Sequence, residues 1–318
     1  MPLYSGIPMR SSTFFARRII LWGYLYVILG ALGFSTKAVL VKLAYWQSPE
    51  IDTITLMLLR MAMSLPFYLG IAFWSVRQVA KSDEKRILSC SEKAMILGLG
   101  LLGYYIASFL DFEGLHFVSA GLERLIIFLY PTLVVLFSAL FRLQKISRQQ
   151  LYALVCSYLG IVWVFLDNSL QQNSPNYLLG SWLVFSSAVV FAIFLIGSGV
   201  MVKRIGSTRF TAYSMIVACL ATCGHFLYIH GFKVLNVSQG IYQLALLMAI
   251  FSTVLPSFLM NAGIRHVGAS SAAMISAIGP VGTLVLAYFL LGEALTTSQL
   301  VGTGFILLGV SMVSRQKI

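Results

Sequence analysis

The sequence predicts an all-α polytopic membrane protein with ten transmembrane helices. Of its 318 residues, 59% are hydrophobic and only 10% are charged, and the mean hydropathy is +0.89. A soluble domain carries roughly 25% charged residues. The apolar residues form runs of the roughly 20 residues that a helix needs to cross the hydrocarbon core. These observations exclude a soluble globule, and the alternating segments of about ten residues that an outer-membrane barrel requires are absent.

Ten apolar segments follow one another, and the polar stretches between them are too short to hold a soluble domain. They cover about 19–43, 53–75, 94–113, 118–141, 149–167, 178–202, 210–230, 240–262, 268–291 and 297–314. We expect two five-helix units, residues 19–167 and 178–314, joined by an external linker at 168–177. Residues 1–18 and 315–318 are then the cytoplasmic ends.

Positive charge marks one side of the predicted membrane. Its 17 Lys and Arg residues are Arg10, Arg17, Arg18, Arg77, Lys81, Lys85, Arg86, Lys93, Arg142, Lys145, Arg148, Lys203, Arg204, Arg209, Arg265, Arg315 and Lys317. The other side carries Glu50, Asp52 and Glu293, with Lys233 as its clear loop cation. Because cytoplasmic loops collect Lys and Arg, we expect both termini in the cytoplasm and a multi-pass protein of the cytoplasmic (inner) membrane. The net charge of +12 then follows from topology, and no nucleic-acid partner is expected.

The chain contains an internal repeat. Shifting it by 149 residues aligns 108–164 with 257–313 without a gap, with 13 identities in 57 positions. Apolar bias does not explain aligned pairs such as Gly114 with Gly263. Each unit has five helices, an odd number, so the second unit enters the membrane from the opposite side. Inverted repeats of this kind are typical of secondary transporters that rock around a midplane site.

The repeated segment ends in a recognisable motif, Pro-(x)11–12-Glu-x-Leu-(x)3-Gln-(x)2-Gly. In the second half the motif residues are Pro280, Gly292, Glu293, Ala294, Leu295, Thr296, Gln299, Gly302 and Gly309. The first half has Leu143, Gln144, Lys145, Ile146, Ser147, Gln150 and Gly160, with Gln144 in place of the glutamate. From about residue 20 onward the chain resembles the EamA family of the drug/metabolite transporter superfamily. The resemblance implies a transporter of small organic metabolites, with a cavity lined by helices 1–4 and 6–9 and with helices 5 and 10 peripheral.

Three cations lie inside the predicted spans at a common depth. Lys37, Arg60 and Arg124 each fall roughly 6–10 Å to the outer side of their span midpoints, at about 1.5 Å per residue. A charged residue at the bilayer centre costs at least about 2.5–3.5 kcal/mol, so such residues are functional candidates. We expect them to bind a carboxylate or phosphate group, including that of a zwitterion such as an amino acid.

Two carboxyl groups, Asp111 and Glu123, also lie well inside spans. They are candidates either for structural ion pairs, such as Asp111 with Arg124, or for a coupling proton, with Glu123 preferred. Tyr104 and Ser108 share a helical stripe with Asp111 and are further substrate-binding candidates.

The second half is neutral at the matching positions. Met260, Ala272 and Ala273 align with Asp111, Glu123 and Arg124. Asn261 and Ser276 are candidates for neutral hydrogen bonds to a substrate. The small residues of span 9, which are Ala269, Ser270, Ser271, Ala272, Ala273, Ser276, Ala277 and Gly279, fit tight helix packing equally well.

Together these patterns predict a secondary active transporter that moves a small organic metabolite, carboxylate-bearing or zwitterionic, by alternating access. The expected partners are that substrate and the lipid bilayer, with no cofactor and no metal; the oligomeric state is left open. The sequence holds no His-Glu-x-x-His, Gly-x-Ser-x-Gly or Gly-rich phosphate-loop motif, so we expect no catalytic residues. The alternative is a channel or a non-transport membrane interaction protein, which saturable, coupled flux would distinguish from a carrier; an intramembrane enzyme is a more distant one.

Overall fold

The fold is helical throughout the part of the chain that the computed structural model describes. That part is residues 10–81, 88–141, 148–171, 176–232, 237–268, 271–272, 275–276 and 278–314, and it contains no strand. Seven of its helical segments are long and apolar enough to cross a membrane: Ile20–Gln47, Thr53–Ser75, Cys90–Gly114, Ala120–Leu140, Tyr177–Ile205, Ser207–His230 and Gln239–Val267. The prediction of an all-helical, multi-pass membrane protein is therefore confirmed.

The helices follow the order of the predicted spans, and several spans consist of two consecutive helices. They are α1 (Arg10–Gln47), α2 (Thr53–Lys81), α3 (Cys90–Gly100), α4 (Ala107–Gly114), α5 (Ala120–Ile127), α6 (Tyr130–Leu140), α7 (Arg148–Gln171), α8 (Tyr177–Ile205), α9 (Ser207–His230), α10 (Gln239–Ala249), α11 (Leu255–Val267), α12 (Ile278–Leu291) and α13 (Thr297–Ser314). Two π-helical segments, Leu101–Ile106 and Ile250–Val254, join α3 to α4 and α10 to α11.

Predicted spans 5, 9 and 10 are not among the seven long apolar segments. Span 5 overlaps α7, span 9 overlaps the shorter apolar helix Ile278–Leu291 in its second half, and span 10 overlaps the shorter apolar helix Thr297–Gly309. The count of ten spans therefore remains a prediction. Several residues used in the sequence argument lie outside the described residues: Lys85, Arg86, Arg142, Leu143, Gln144, Lys145, Ile146, Ser147, Lys233, Ala269, Ser270, Ala273, Ala277, Arg315 and Lys317.

The first helix of each half packs against later helices of the other half. In one set α1 packs against α11 and α12, and in the other α8 packs against α4 and α6. Two further pairs join corresponding helices directly, α2 with α9 and α7 with α13. Swapping each first-half helix for its second-half counterpart reproduces the same pattern, which supports the internal repeat.

The two π-helical segments also follow the repeat. Leu101 and Ile250, where they begin, are 149 residues apart, the same shift that aligns the sequence halves. A π-helical turn inserted in an α-helix rotates the side chains that follow it and is frequent at functional sites. Both segments are therefore candidates to contribute to a functional site.

Hydrogen bonds fix the facing ends of α4 and α5. The Tyr45 hydroxyl of α1 donates to the Phe112 carbonyl of α4 at 3.1 Å. The Glu293 carboxylate accepts from the backbone N–H groups of Ala120 (2.9 Å) and Gly121 (3.1 Å) in the first turn of α5. An anion is favoured there because the first N–H groups of a helix have no partner within the helix. These contacts hold in place the two helices that carry Asp111, Glu123 and Arg124.

Candidate functional site

A cavity lies between the two halves of the chain, with a volume of about 750 Å³ that includes its open mouth. Its walls are Ala31, Phe34, Lys37, Arg60, Met61, Gly103, Tyr104, Ala107, Ser108, Arg124, Ile127, Tyr130, Ser187, Phe191, Met215, Ser252, Thr253, Met260 and Ser276. Both π-helical segments contribute to this wall, and none of its residues comes from α7 or α13. The described residues thus place the cavity among the helices that the family resemblance implies.

The charge on the cavity wall is of one sign. Lys37 from α1, Arg60 from α2 and Arg124 from α5 line the cavity, and no Asp or Glu is among the lining residues. Arg60 is 2% exposed and Arg124 is 7% exposed. Two cations buried this deeply are stable only with compensating negative charge or hydrogen-bond acceptors. The wall therefore suits an anionic group.

One edge of the Arg60 guanidinium has unsatisfied hydrogen-bonding capacity. Its guanidinium carbon lies 4.6 Å from the centre of the Phe112 ring, which supports one face of the group. The buried Nε and Nη2 atoms have no hydrogen-bond partner among the described residues. These two nitrogens form one edge of the guanidinium, and an edge of this kind binds the two oxygens of a carboxylate in parallel. A carboxylate that reached this edge would satisfy both nitrogens.

Arg124 is held by backbone and hydroxyl groups. Its Nη2 donates to the Ala31 carbonyl at 3.4 Å and to the Ser35 hydroxyl at 3.3 Å. A Cβ atom at position 279 would lie 2.6 Å from the same nitrogen, so Gly279 provides the space that the guanidinium occupies. The Arg124 Nε is buried and has no hydrogen-bond partner among the described residues.

Lys37 forms the ion pair with Asp111 for which the sequence analysis suggested Arg124 as one candidate. Its Nζ lies 2.5 Å from Oδ2 of Asp111, and the Asp111 side chain is fully buried. The suggested pair of Asp111 with Arg124 is not formed in the described residues, because Arg124 points to α1 instead. Lys37 also lines the cavity, whereas Asp111 lies behind it. Lys37 thus connects the cavity to the buried carboxyl.

Glu123 lies beside Asp111 and is also fully buried. Neither of its carboxyl oxygens accepts a hydrogen bond from a donor in the described residues, and no ion pair to it is formed there. Lys37 and Arg124 are nearby charges but make their hydrogen bonds or ion pairs with other groups. Neither carboxyl lines the cavity.

Three of the four neutral candidates line the cavity. They are Tyr104, Ser108 and Ser276, and the Ser276 hydroxyl forms a hydrogen bond with the Tyr130 hydroxyl. Asn261 does not line it; its Nδ2 donates to the Tyr104 hydroxyl at 3.0 Å. Asn261 therefore orients Tyr104.

The sequence analysis missed the aromatic part of the wall. Phe34, Tyr130 and Phe191 line the cavity together with Tyr104, and the rings of Tyr130 and Phe191 pack edge to face at 5.2 Å. An aromatic residue in an apolar span carries no signal that separates a cavity wall from helix packing. Tyr130 had one weak signal, since a large polar ring aligns with Gly279 in the other half.

Comparison with known proteins identifies the family. The model of the EamA-like transporter family matches residues 21–166 and again residues 178–315. The chain belongs to the EamA-like transporter family. The resemblance read from the repeated motif is thereby confirmed, and the family is one of membrane transporters.

Relatives of this EamA-like protein carry transporter names. An uncharacterized transporter, YcbK, of Bacillus subtilis (strain 168) is 28% identical over 93% of this chain and 94% of its own length. An uncharacterized transporter of Archaeoglobus fulgidus is 22% identical over 94% of this chain and 98% of its own length. A solved crystal structure matches 92% of this chain and 96% of its own with a TM-score of 0.65 and 16% identity, which shows a shared fold.

The described part of this EamA-like protein contains no candidate metal-binding cluster. Within those residues, no group of three or more His, Cys, Asp or Glu side chains is placed to hold a metal ion. The chemistry that the cavity offers is recognition by cations, hydroxyl groups and aromatic rings.

Proposed function

We propose that this EamA-like protein is a secondary transporter that carries a small organic metabolite with a carboxylate, or a zwitterion such as an amino acid, across the cytoplasmic membrane. The observation that carries the proposal is Arg60, which lines the cavity together with two further cations and has two buried guanidinium nitrogens without a hydrogen-bond partner among the described residues. The substrate carboxylate binds these two nitrogens, and Arg124 and Lys37 compensate the remaining charge.

The rest of the wall suits an organic side chain. Phe34, Tyr104, Tyr130 and Phe191 offer apolar ring surface next to the cations. Binding sites for small molecules combine this kind of apolar wall with a few placed polar groups. A purely lipophilic cation is a poor fit, because it would be repelled by three positive groups.

Alternating access is the mechanism that the packing favours. The cavity lies between two sets of helices. In one set α1 packs against α11 and α12 of the other half, and in the second set α8 packs against α4 and α6 of the other half. In transporters with inverted repeats, rocking of one unit against the other exposes a central site to each side in turn. The proposed topology has ten spans and both termini in the cytoplasm.

A ligand-stabilisation screen tests the substrate class. Purified protein is heated with the proteinogenic amino acids and short monocarboxylates, and every ligand that stabilises it is compared with its own methyl ester. We expect stabilisation by the acids and none by the esters, because the ester removes the charge that Arg60 binds. Equal stabilisation by acids and esters would exclude carboxylate recognition.

Variants of Arg60 test the residue. Arg60→Lys keeps the charge but loses the paired nitrogens, so we expect transport in liposomes to fall strongly, and Arg60→Ala to abolish it. The matched control is Arg77→Lys on the same helix, since Arg77 also packs on a phenylalanine ring, Phe73, at 4.1 Å but is exposed and does not line the cavity. Normal transport by Arg60→Ala would place the substrate elsewhere.

Cysteine labelling tests the topology. A single cysteine at position 48 is expected to react from outside the cell, and one at position 82 or 145 only after the cytoplasmic side is opened. Labelling of positions 48 and 145 from the same side contradicts the ten-span arrangement.

A further inference from the structure

The carboxyl pair behind the cavity has no role in binding the substrate directly. Asp111 and Glu123 are fully buried, and neither lines the cavity. Their connection to it is Lys37, which lines the cavity and lies 2.5 Å from Asp111. Burying two carboxyl groups inside a membrane protein is costly, so a functional reason is expected for both.

The charged groups around the pair leave Glu123 without a counter-ion in contact. Lys37 on α1 is engaged by Asp111, and Arg124 on α5 donates to Ala31 and Ser35. Arg60 on α2 packs its guanidinium on the Phe112 ring and forms no ion pair with either carboxyl in the described residues. Lys42 and Glu293 lie near each other toward the start of α5, where Glu293 is bound by backbone N–H groups.

Two neighbouring carboxyl groups in this setting share a proton. If both were ionised, two negative charges would lie next to each other in a buried site with one cation in contact. With one proton, one carboxyl donates a hydrogen bond to the other, which also satisfies an oxygen of Glu123 that accepts from no described N–H or O–H donor. The proton belongs to the pair, with Glu123 as the member that lacks a cation.

We propose that the Asp111–Glu123 pair is the proton-binding site of the transport cycle, and that a proton on it and a substrate anion in the cavity favour each other's binding, so that the two cross the membrane together. The proposal rests on the proposed function, because it needs an anion at Arg60 and Arg124. An anion in the cavity attracts Lys37 away from Asp111, and the pair then needs its proton. By linkage, the proton raises the affinity for the anion by the same factor.

The first experiment uses the proton itself as the probe. Infrared spectra of the purified protein are recorded during a pH titration without any added substrate. We expect a carboxylic acid C=O band that persists at neutral pH, disappears in Glu123→Gln and remains in Glu113→Gln. Glu113 is a matched control, since it lies two residues from Asp111 on α4 and is only partly buried. If wild-type protein lacks the band, or Glu123→Gln keeps it unchanged, the proton site is wrong.

The second experiment tests the coupling with the carboxylate that stabilises wild-type protein most in the screen. Its affinity is expected to fall as pH rises, by up to about tenfold per pH unit because one proton is linked. In Glu123→Gln, whose side chain stays neutral, the affinity is expected to be independent of pH. An acidic exterior is expected to accelerate uptake into wild-type liposomes and to have no such effect on Glu123→Gln.

The outcomes separate the two proposals. If a panel carboxylate binds with a pH-independent affinity, or if an alkaline exterior drives its uptake, the coupling is wrong and the proposed substrate class stands. If no panel carboxylate binds at any pH, the proposed function fails, and the infrared band still decides whether Glu123 holds a proton.

Discussion

The two halves of this EamA-like protein share a fold and differ in charge. Their π-helical segments begin 149 residues apart, and the first helix of each half packs against later helices of the other half. Yet all five charged groups of the site, Lys37, Arg60, Asp111, Glu123 and Arg124, come from the first half. The second half contributes hydroxyl, apolar and small side chains to the same cavity.

The comparison shows that residues needed for helix packing match in the two halves, whereas the charged residues of the site are present in one half. Gly114 and Gly263 occupy matching places where a helix of one half crosses a helix of the other: Gly114 lies against Val184, and Gly263 against Val27. The close helix crossing requires a residue without a side chain in both halves, and glycine is present at both positions. A charge serves a single central cavity, so one copy is sufficient, and a second buried copy would cost free energy without a partner.

The largest effect is expected when one charge of the first half is removed. Lys37→Met leaves Asp111 buried without its counter-ion, which costs about 3–5 kcal/mol when a buried pair is broken from one side. The double variant Lys37→Met, Asp111→Asn is expected to recover most of that loss. Thermal unfolding of the purified protein measures both, with Lys93→Met on an exposed site as control. Unfolding of Lys37→Met at the wild-type temperature would show that the pair does not stabilise the fold.

A smaller and symmetrical effect is expected at the two glycine crossings. A Cβ atom at Gly114 would lie 2.6 Å from a Val184 methyl group, and one at Gly263 would lie 2.4 Å from a Val27 methyl group. Gly114→Ala and Gly263→Ala are each expected to destabilise the protein by about 1–3 kcal/mol, because overpacking forces neighbouring atoms to move. Different losses in the two variants would mean that the halves do not share their packing.

Two further glycines provide the control for these variants. No atom lies within 4 Å of a Cβ at Gly70 on α2 or at Gly224 on α9. Alanine there is expected to be neutral or to stabilise the helix, since its helix propensity is higher by about 1 kcal/mol. If alanine at Gly70 or Gly224 also destabilises the protein, the losses in Gly114→Ala and Gly263→Ala result from replacing a glycine and not from the close helix crossing.

The sequence predicted the family and the helical class and showed which charges lie inside apolar spans, but it did not determine which of those charges pair. Arg60, Lys37 and Arg124 stand out because charges are rare in apolar spans, and the repeat is visible because Gly and Pro recur at one shift. Which cation meets Asp111 depends on helix rotation and on the space left by Gly279, which places Arg124 against α1. The spacing of residues along a single helix predicts neither the rotation of that helix nor the space beside Gly279. The aromatic wall was hidden for a related reason, since rings are common throughout the spans.

A modest effect is expected from Glu293, which lies in the repeated motif. Its carboxylate caps the start of α5, and the first-half motif has Gln144 at the matching position. Glu293→Gln makes the halves alike and removes a negative charge from a helix N-terminus, which costs about 0.3–1 kcal/mol at exposed sites and up to about 2 kcal/mol when partly buried. The measurement is thermal stability, with Glu50→Gln as the control. Unchanged stability would show that an uncharged amide caps α5 as well.

The smallest effect is expected at a surface contact between the halves, where Asp52 meets His230. Burial opposes ionisation of Asp52, but hydrogen bonds from Thr55 and from His230 at 3.1 Å outweigh it and lower the pKa of Asp52 below its ordinary 3.8. A carboxyl whose pKa is lower in the folded protein stabilises the fold above its unfolded pKa, and that stability is lost as the pH falls through its folded pKa. Because the Asp52 side chain is 44% exposed, the contribution is at most about 1 kcal/mol and is weakened by salt. Asp52→Asn is therefore expected to be slightly less stable than wild type at neutral pH, with a gap that narrows as the pH falls toward 3.8 and below. A gap that stays constant over that range would mean that the ionised carboxylate of Asp52 does not join the halves.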